Sequence, residues 1–138
     1  VSTQAQPQLK GPPVAAHRFA VTVTRNHAGC TQIAVVGEID ANSLALLDHE
    51  LADQPSRDTD ALVLDLSRVP FCSIGGVGAL LALQQRTNTA AVPLELIVDT
   101  RAVRRALEIL TAPGLFSLHA TRASALAAID ADAEDRFR

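Results

Sequence analysis

A chain of 138 residues is the size of one domain, at about 100–200 residues per domain, with little left over for a second. Hydrophobic residues make up 48% and charged residues 20%, with a formal net charge of -3, which excludes a charge-rich disordered chain and predicts a packed core. With 12 Lys and Arg against 15 Asp and Glu, and neither Trp nor Tyr, there is no cationic stacking surface, so nucleic acid is not the expected partner.

Residues 1–17 mix Gln, Pro, Gly and small side chains without a period and read as a flexible N-terminal arm. This opening, VSTQAQPQLKGPPVAAH, lacks the layout of a secretory signal, and no later stretch approaches the ~20 apolar residues of a bilayer span. A cytoplasmic protein with no direct membrane insertion is therefore expected. Phe19, Val21 and Val23 alternate with Ala20, Thr22 and Thr24, the period of a half-buried strand. Asn26 to Gly29 turns the chain, and Thr31 to Val36 returns as the antiparallel partner. Leu44, Leu47 and Leu51 mark one face of a helix over 42–52, which Asp40 or Asn42 would cap. Ala61 to Leu66 is almost continuously apolar, as in a central strand between parallel neighbours. The helix predicted over 74–87 has an apolar first half, with Ile74, Val77, Ala79, Leu80, Leu81 and Leu83. Leu94 to Val98 is the next strand. Asp99 or Thr100 then caps a helix whose inward stripe is Val103, Leu107 and Leu110, and which Pro113-Gly114 ends. Phe116 to Ala120 is a last short strand, and 122–131 a closing helix with Leu126 and Ile129 inward, leaving 132–138 as a polar tail. The order β-β-α-β-α-β-α-β-α predicts an α/β fold, a single domain over 18–131 with a mixed, mostly parallel sheet packed with helices.

Recognition in open α/β sheets gathers beyond the carboxyl ends of the strands, which singles out 37–42, 67–78 and 99–101. The second of these is unusual. Phe71-Cys72-Ser73-Ile74-Gly75-Gly76-Val77-Gly78 puts three glycines into the opening turns of a helix, each costing up to ~1 kcal/mol relative to Ala. Such a segment either packs closely on the sheet or offers a flat, backbone-exposing surface to a partner or an anion. A dinucleotide loop is excluded because Gly76-Val77-Gly78-Ala79-Leu80-Leu81 lacks the third glycine, and a phosphate loop because the segment has no Lys. Cys30, Cys72, His17, His27, His49 and His119 show no metal-ligand spacing, so neither a metal nor another cofactor is expected. Asp40 reads as a helix cap and Asp65 as a strand carboxylate bonded to a neighbour, so no enzymatic role is assigned to them. Ser73 reads first as a helix N-cap and second as a modifiable hydroxyl; Cys72 reads first as a small buried residue and second as an oxidisable thiol. Cys30 and Cys72 fall near opposite ends of parallel strands, on the order of 20 Å apart, beyond the ~7 Å limit for a disulfide.

The runs Gly37-Glu38-Ile39-Asp40, Leu64-Asp65-Leu66-Ser67-Arg68-Val69-Pro70-Phe71, Gly76-Val77-Gly78-Ala79-Leu80-Leu81 and Val103-Arg104-Arg105-Ala106-Leu107-Glu108-Ile109-Leu110, with Gly114-Leu115-Phe116 after them, resemble a STAS domain of the anti-sigma-factor antagonist type over roughly residues 18–130. The resemblance implies a regulatory binding module. Such antagonists bind an anti-sigma factor, often a serine kinase of the histidine-kinase-like ATPase fold, and so free a sigma factor for transcription. The partner face it implies comprises Glu38, Asp40, Asn42, Phe71, Cys72, Ser73, Ile74, Gly75, Gly76 and Gly78. In the family the loop before the second helix typically reads Asp-Ser-Ser-Gly, and the kinase phosphorylates the first of those serines to break the complex. Aligned on Phe71 and on Gly76-Val77-Gly78, this chain has Ser73 at the Asp position, Ile74 at the acceptor position and Gly75 at the next. The acceptor hydroxyl is missing, and with it the switch by phosphate repulsion and desolvation. Two other roles fit the same residues: an accessory STAS subunit of a membrane transporter, and a nucleotide-responsive domain using the helix N-terminus at Ser73 to Gly76. The sequence assigns no oligomeric state.

Overall fold

The computed structural model describes residues 18–26 and 28–136. The arm expected over 1–17 and the last two residues of the expected tail lie outside them. The elements follow the predicted order: β1 (Ala20–Arg25), β2 (Cys30–Val36), α1 (Leu44–Leu51), β3 (Ala61–Arg68), α2 (Ile74–Ala90), β4 (Leu94–Ile97), α3 (Arg101–Leu110), β5 (Ser117–His119) and α4 (Arg122–Arg136). All five strands form one sheet in the order β1-β2-β3-β4-β5. β1 and β2 are antiparallel and each later pair is parallel, which is the mixed, mostly parallel sheet expected of the α/β order.

Local chemistry explains the hairpin. The Asn26 side chain accepts from the amides of Ala28 and Cys30 at 2.9 and 3.1 Å, and Gly29 takes a φ of +77° that other residues resist. The main core lies on one face of the sheet, where Ile33, Val35, Leu62, Leu64, Leu66 and Leu96 are covered by Leu47 and Leu51 of α1, Val77, Leu80 and Leu83 of α2, and Val103 and Leu107 of α3. On the other face Cys30, Ala61, Val63 and Ile97 meet Ala125 of α4, with Leu126 and Ile129 packed beside it as predicted. Leu62 and Val63, pointing to opposite faces, are both 0% exposed, which is why the sequence of β3 is a continuous apolar run. Arg86 ties α2 to the end of α1. Its Nη2 donates to the Leu51 carbonyl at 2.7 Å and its Nε to the Gln54 carbonyl at 2.9 Å, a cation at the negative end of the helix dipole.

Four details depart from the sequence reading. β1 is an edge strand of the sheet, and Val23, near its outer end, is 40% exposed rather than half-buried. Leu110 is 42% exposed: α3 ends at that residue, and its last turn is covered only at Leu107. Thr100 stands at the N-cap position of α3, yet its hydroxyl donates to the Val69 carbonyl at 2.9 Å and makes no cap bond. That carbonyl belongs to Val69, which is fully buried just past the end of β3, and it needs a donor more than the helix does. Finally, α4 continues through Arg136, beyond the predicted end at 131, because nothing in Asp132 to Arg136 breaks a helix.

Candidate partner-docking site

Beyond the carboxyl ends of β2 and β3, two of the predicted loops are joined into one surface by main-chain bonds. The Gly37 amide donates to the Arg68 carbonyl at 3.2 Å, the Ile39 amide to Phe71 at 2.9 Å, and the Ser73 amide back to Ile39 at 2.8 Å. Ile39 and Cys72 thereby form a parallel bridge that prolongs the ladder past the irregularity between Ala34 and Val36. Gly37 is obligatory here, with φ +105° and a virtual Cβ 2.9 Å from the Arg18 carbonyl oxygen. The third predicted loop joins through the bond from Thr100 to Val69.

Asp40 shapes its own loop. Its Oδ1 accepts from the Asn42 and Ser43 amides at 2.9 and 3.1 Å and so holds the turn that leads into α1, but the N-cap position is Ser43, without a side-chain cap bond, so neither Asp40 nor Asn42 caps the helix as expected. Ser43 completes the turn, accepting from the Asp40 amide at 3.0 Å and donating to the Glu38 carbonyl at 2.7 Å. Glu38 and Asn42 point to solvent. They border an open hollow of about 320 Å³ together with Phe19, Asp40, Ser43 and Leu46. Phe19 and Leu46 were not singled out from sequence. The available signal was that Leu46 lies off the Leu44–Leu47–Leu51 stripe, so an apolar side chain there had to face outward.

In the second loop Ser73 is the N-cap of α2, its Oγ accepting from the Gly76 amide at 3.1 Å with extended backbone. Immediately beside it Phe71 is 46% and Ile74 76% exposed. An isoleucine so open at the first position of a helix contributes nothing to the core. Gly75 and Gly78 are also exposed.

Two residues expected on the partner face are not on it. Cys72 is 5% exposed and Gly76 is buried. Gly76 is glycine for packing: a Cβ there would lie 2.5 Å from Cγ2 of Ile39 and 2.7 Å from Sγ of Cys72. The close-packing reading of the glycine segment holds at one position and not at another. At Gly76 the helix packs closely on the loop, whereas at Gly78 a Cβ would meet nothing within 4 Å. Gly78→Ala is accordingly expected to stabilise the fold by about 0.5–1 kcal/mol, read as a higher urea midpoint.

Burial pushes the Cys72 thiol up to about 11, and its Sγ–H donates to the Ser73 carbonyl at 3.6 Å. A protonated, covered thiol is a poor nucleophile, which argues against oxidative control at this position. As pH rises from the ordinary thiol value of 9.0 toward about 11, the unfolded chain ionises Cys72 while the folded chain keeps its proton. Stability is thus expected to fall across that window, and denaturant midpoints of a Cys72→Ala variant should fall less steeply. Cys30, likewise raised by burial and by the nearby Asp130 carboxylate, begins β2 opposite Ala61, at the far end of the sheet from the Ile39–Cys72 bridge, and both thiols are free.

Asp65 faces α4, accepting from the Ser67 amide at 2.9 Å and pairing with Arg122 at 3.2 Å. It is engaged structurally, as expected of a carboxylate within a strand. Among the described residues no three His, Cys, Asp or Glu side chains gather as metal ligands, and no helix is long and apolar enough to cross a membrane.

The sequence profile described as "Mlab, STAS domain" matches residues 22–117. The anti-sigma-F factor antagonist RsfB of Mycobacterium tuberculosis is 27% identical over 118 residues, covering 85% of this chain and 96% of RsfB. The solved structure of an anti-sigma factor antagonist from Mycobacterium paratuberculosis superposes with a TM-score of 0.72 at 26% identity, over 82% of this chain and 95% of its own. The Bacillus cell fate determinant SpoIIAA in its phosphorylated form shares the fold, with a TM-score of 0.62 at 15% identity over 80% of this chain and 99% of its own.

Proposed function

The chain belongs to the STAS domain family, and from that membership we propose that it is an anti-sigma-factor antagonist whose joined loops dock a kinase-like anti-sigma factor in the cytoplasm. The observation that carries the reading is the pair of exposed apolar side chains, Phe71 and Ile74, at the seam of the two loops, in a chain similar to proteins named anti-sigma factor antagonists. An apolar centre of this kind, rimmed by Glu38, Asn42 and Asp40, matches the anatomy of a protein interface, with large anchors inside and polar groups around them. Ser73 holds a helix end and Asp40 holds a turn; they support the surface, while Phe71, Ile74, Gly75 and Gly78 form it. At this face the chain acts by binding, not by catalysis.

Ile74 stands where the family's resemblance puts the phosphoacceptor, so docking is not reversed by phosphorylation there. Ser73 is one residue earlier, and its oxygen already accepts the Gly76 amide. Calorimetric titration of the chain into the anti-sigma factors of its own organism tests the reading. Saturable binding to one of them, persisting after incubation with ATP and with the 69–86 peptide unmodified by mass spectrometry, is expected. Absence of heat with every one of them overturns it.

A further inference from the structure

The face of the sheet beneath α4 carries a chain of hydrogen bonds that docking does not use. His119, at the end of β5, places Nε2 2.6 Å from Oε1 of Glu95 on β4, and Nδ1 2.7 Å from Oγ of Ser124 in the first turn of α4. Ser117 donates to the same Glu95 oxygen. An ionised carboxylate only accepts, so the Nε2 that faces Glu95 is a nitrogen that carries a proton. In the tautomer with its proton on Nε2 alone, Nδ1 is the lone-pair nitrogen and accepts from the Ser124 hydroxyl. In that tautomer the polarity runs from Ser124 through His119 to Glu95.

Burial follows the same direction. The Glu95 and His119 side chains are 11% and 13% exposed, whereas Ser124 is open to solvent. A hydroxyl resting on a basic nitrogen, with the other nitrogen fixed by a carboxylate, is the arrangement that activates serine as a nucleophile. The Ser124 backbone is itself held, its amide donating to Oγ1 of Thr121 at 3.1 Å. The first amides of α4, which have no carbonyl partner within the helix, add positive potential that favours an oxyanion forming beside Ser124.

We propose that Ser124 is a self-acylating nucleophile, with His119 as its base and Glu95 positioning His119, that accepts an acyl group from small activated donors such as aryl esters and acyl phosphates. Oγ of Ser124 attacks the donor's carbonyl carbon and forms the new O–C bond. The bond from that carbon to the leaving oxygen breaks, and its electron pair departs with that oxygen. The hydroxyl proton passes to Nδ1 of His119 and from there to the leaving group or to water. The product is one O-acyl serine per chain.

Incubating the full chain with 4-nitrophenyl acetate and mapping its peptides tests the proposal. The acetyl group is expected on Ser124 in preference to the other serines, accompanied by about one equivalent of nitrophenolate, since each chain offers one activated hydroxyl. Ser124→Ala removes this labelling. His119→Gln slows it by about 100-fold, the lower range for loss of a general base. Glu95→Gln slows it as well while the thermal midpoint, measured in parallel, reports whether the variant is folded. Should a variant not fold, the wild-type distribution decides alone, because the peptide map tells label on Ser124 from label on Lys10, the single lysine of the sequence, or on a terminal amine. Acetyl spread over the serines without preference for Ser124, or a folded His119→Gln protein labelled at the wild-type rate, overturns the proposal.

Discussion

Ile74→Glu is expected to weaken binding of the anti-sigma partner by at least about 30-fold, the size of an interface hot spot of ~2 kcal/mol, without lowering the stability of the free protein. The argument rests on two independent properties of one position. Ile74 is 76% exposed, so its removal opens no cavity and forfeits almost no core contact. It is also the first residue of α2, where an acidic side chain faces the positive end of the helix dipole and gains about 0.3–1 kcal/mol. Stability should therefore hold or rise slightly while affinity collapses, because a carboxylate carried into an apolar interface loses its water without gaining a partner. Thermal unfolding and calorimetric binding, measured on the same preparation, give the two readouts. A variant that binds as the wild type does removes Ile74 from the docking surface.

Gly76→Ala is expected to have the opposite profile, costing about 2–3 kcal/mol of stability although Ala is the better helix former, and binding would be lost along with the geometry. The added methyl would sit 2.5 Å from Cγ2 of Ile39 and 2.7 Å from Sγ of Cys72. Neither neighbour is the loose end of a flexible chain. Ile39 is β-branched and 0% exposed, and Cys72 is held in the bridge to Ile39. Relief comes only by lifting α2 away from the loop, which breaks the Ser73 cap and the main-chain seam together. Against a typical total of about 5–15 kcal/mol such a loss is readily seen as a lower urea midpoint with an unchanged slope. The contrast with Gly78→Ala, the same substitution two residues along, separates packing from helix propensity.

The order of elements was readable because each carries a strong period. The apolar run at Ala61 to Leu66 could belong only to a strand covered on both faces, and the stripe at Leu44, Leu47 and Leu51 only to a helix with one covered face. Periodicity says nothing about where a sheet ends, so the exposure of Val23 on the edge strand was not foreseen. Within the site, the glycine segment and Asp40 stood out because each departs from what a helix or strand would choose for itself. Which glycine packs and which is open depends on Ile39, more than thirty positions away, and sequence spacing carries no such distance. The same holds for Thr100: its hydroxyl was assigned to the nearest helix end, and it serves the Val69 carbonyl of a different loop. The relay from Ser124 to Glu95 assembles two strands and a helix, and no motif in the sequence announces it.

The seam between Ile39 and Cys72 has a consequence for evolution as well as for docking. Because it is made of amide and carbonyl groups, it dictates shape without dictating the identity of the outward side chains at Glu38, Phe71 and Ile74. On the proposed docking surface, duplicated copies in one cell can exchange those three residues and acquire separate partners while the scaffold stays unchanged. Insulation between parallel regulatory circuits then requires only a few surface substitutions.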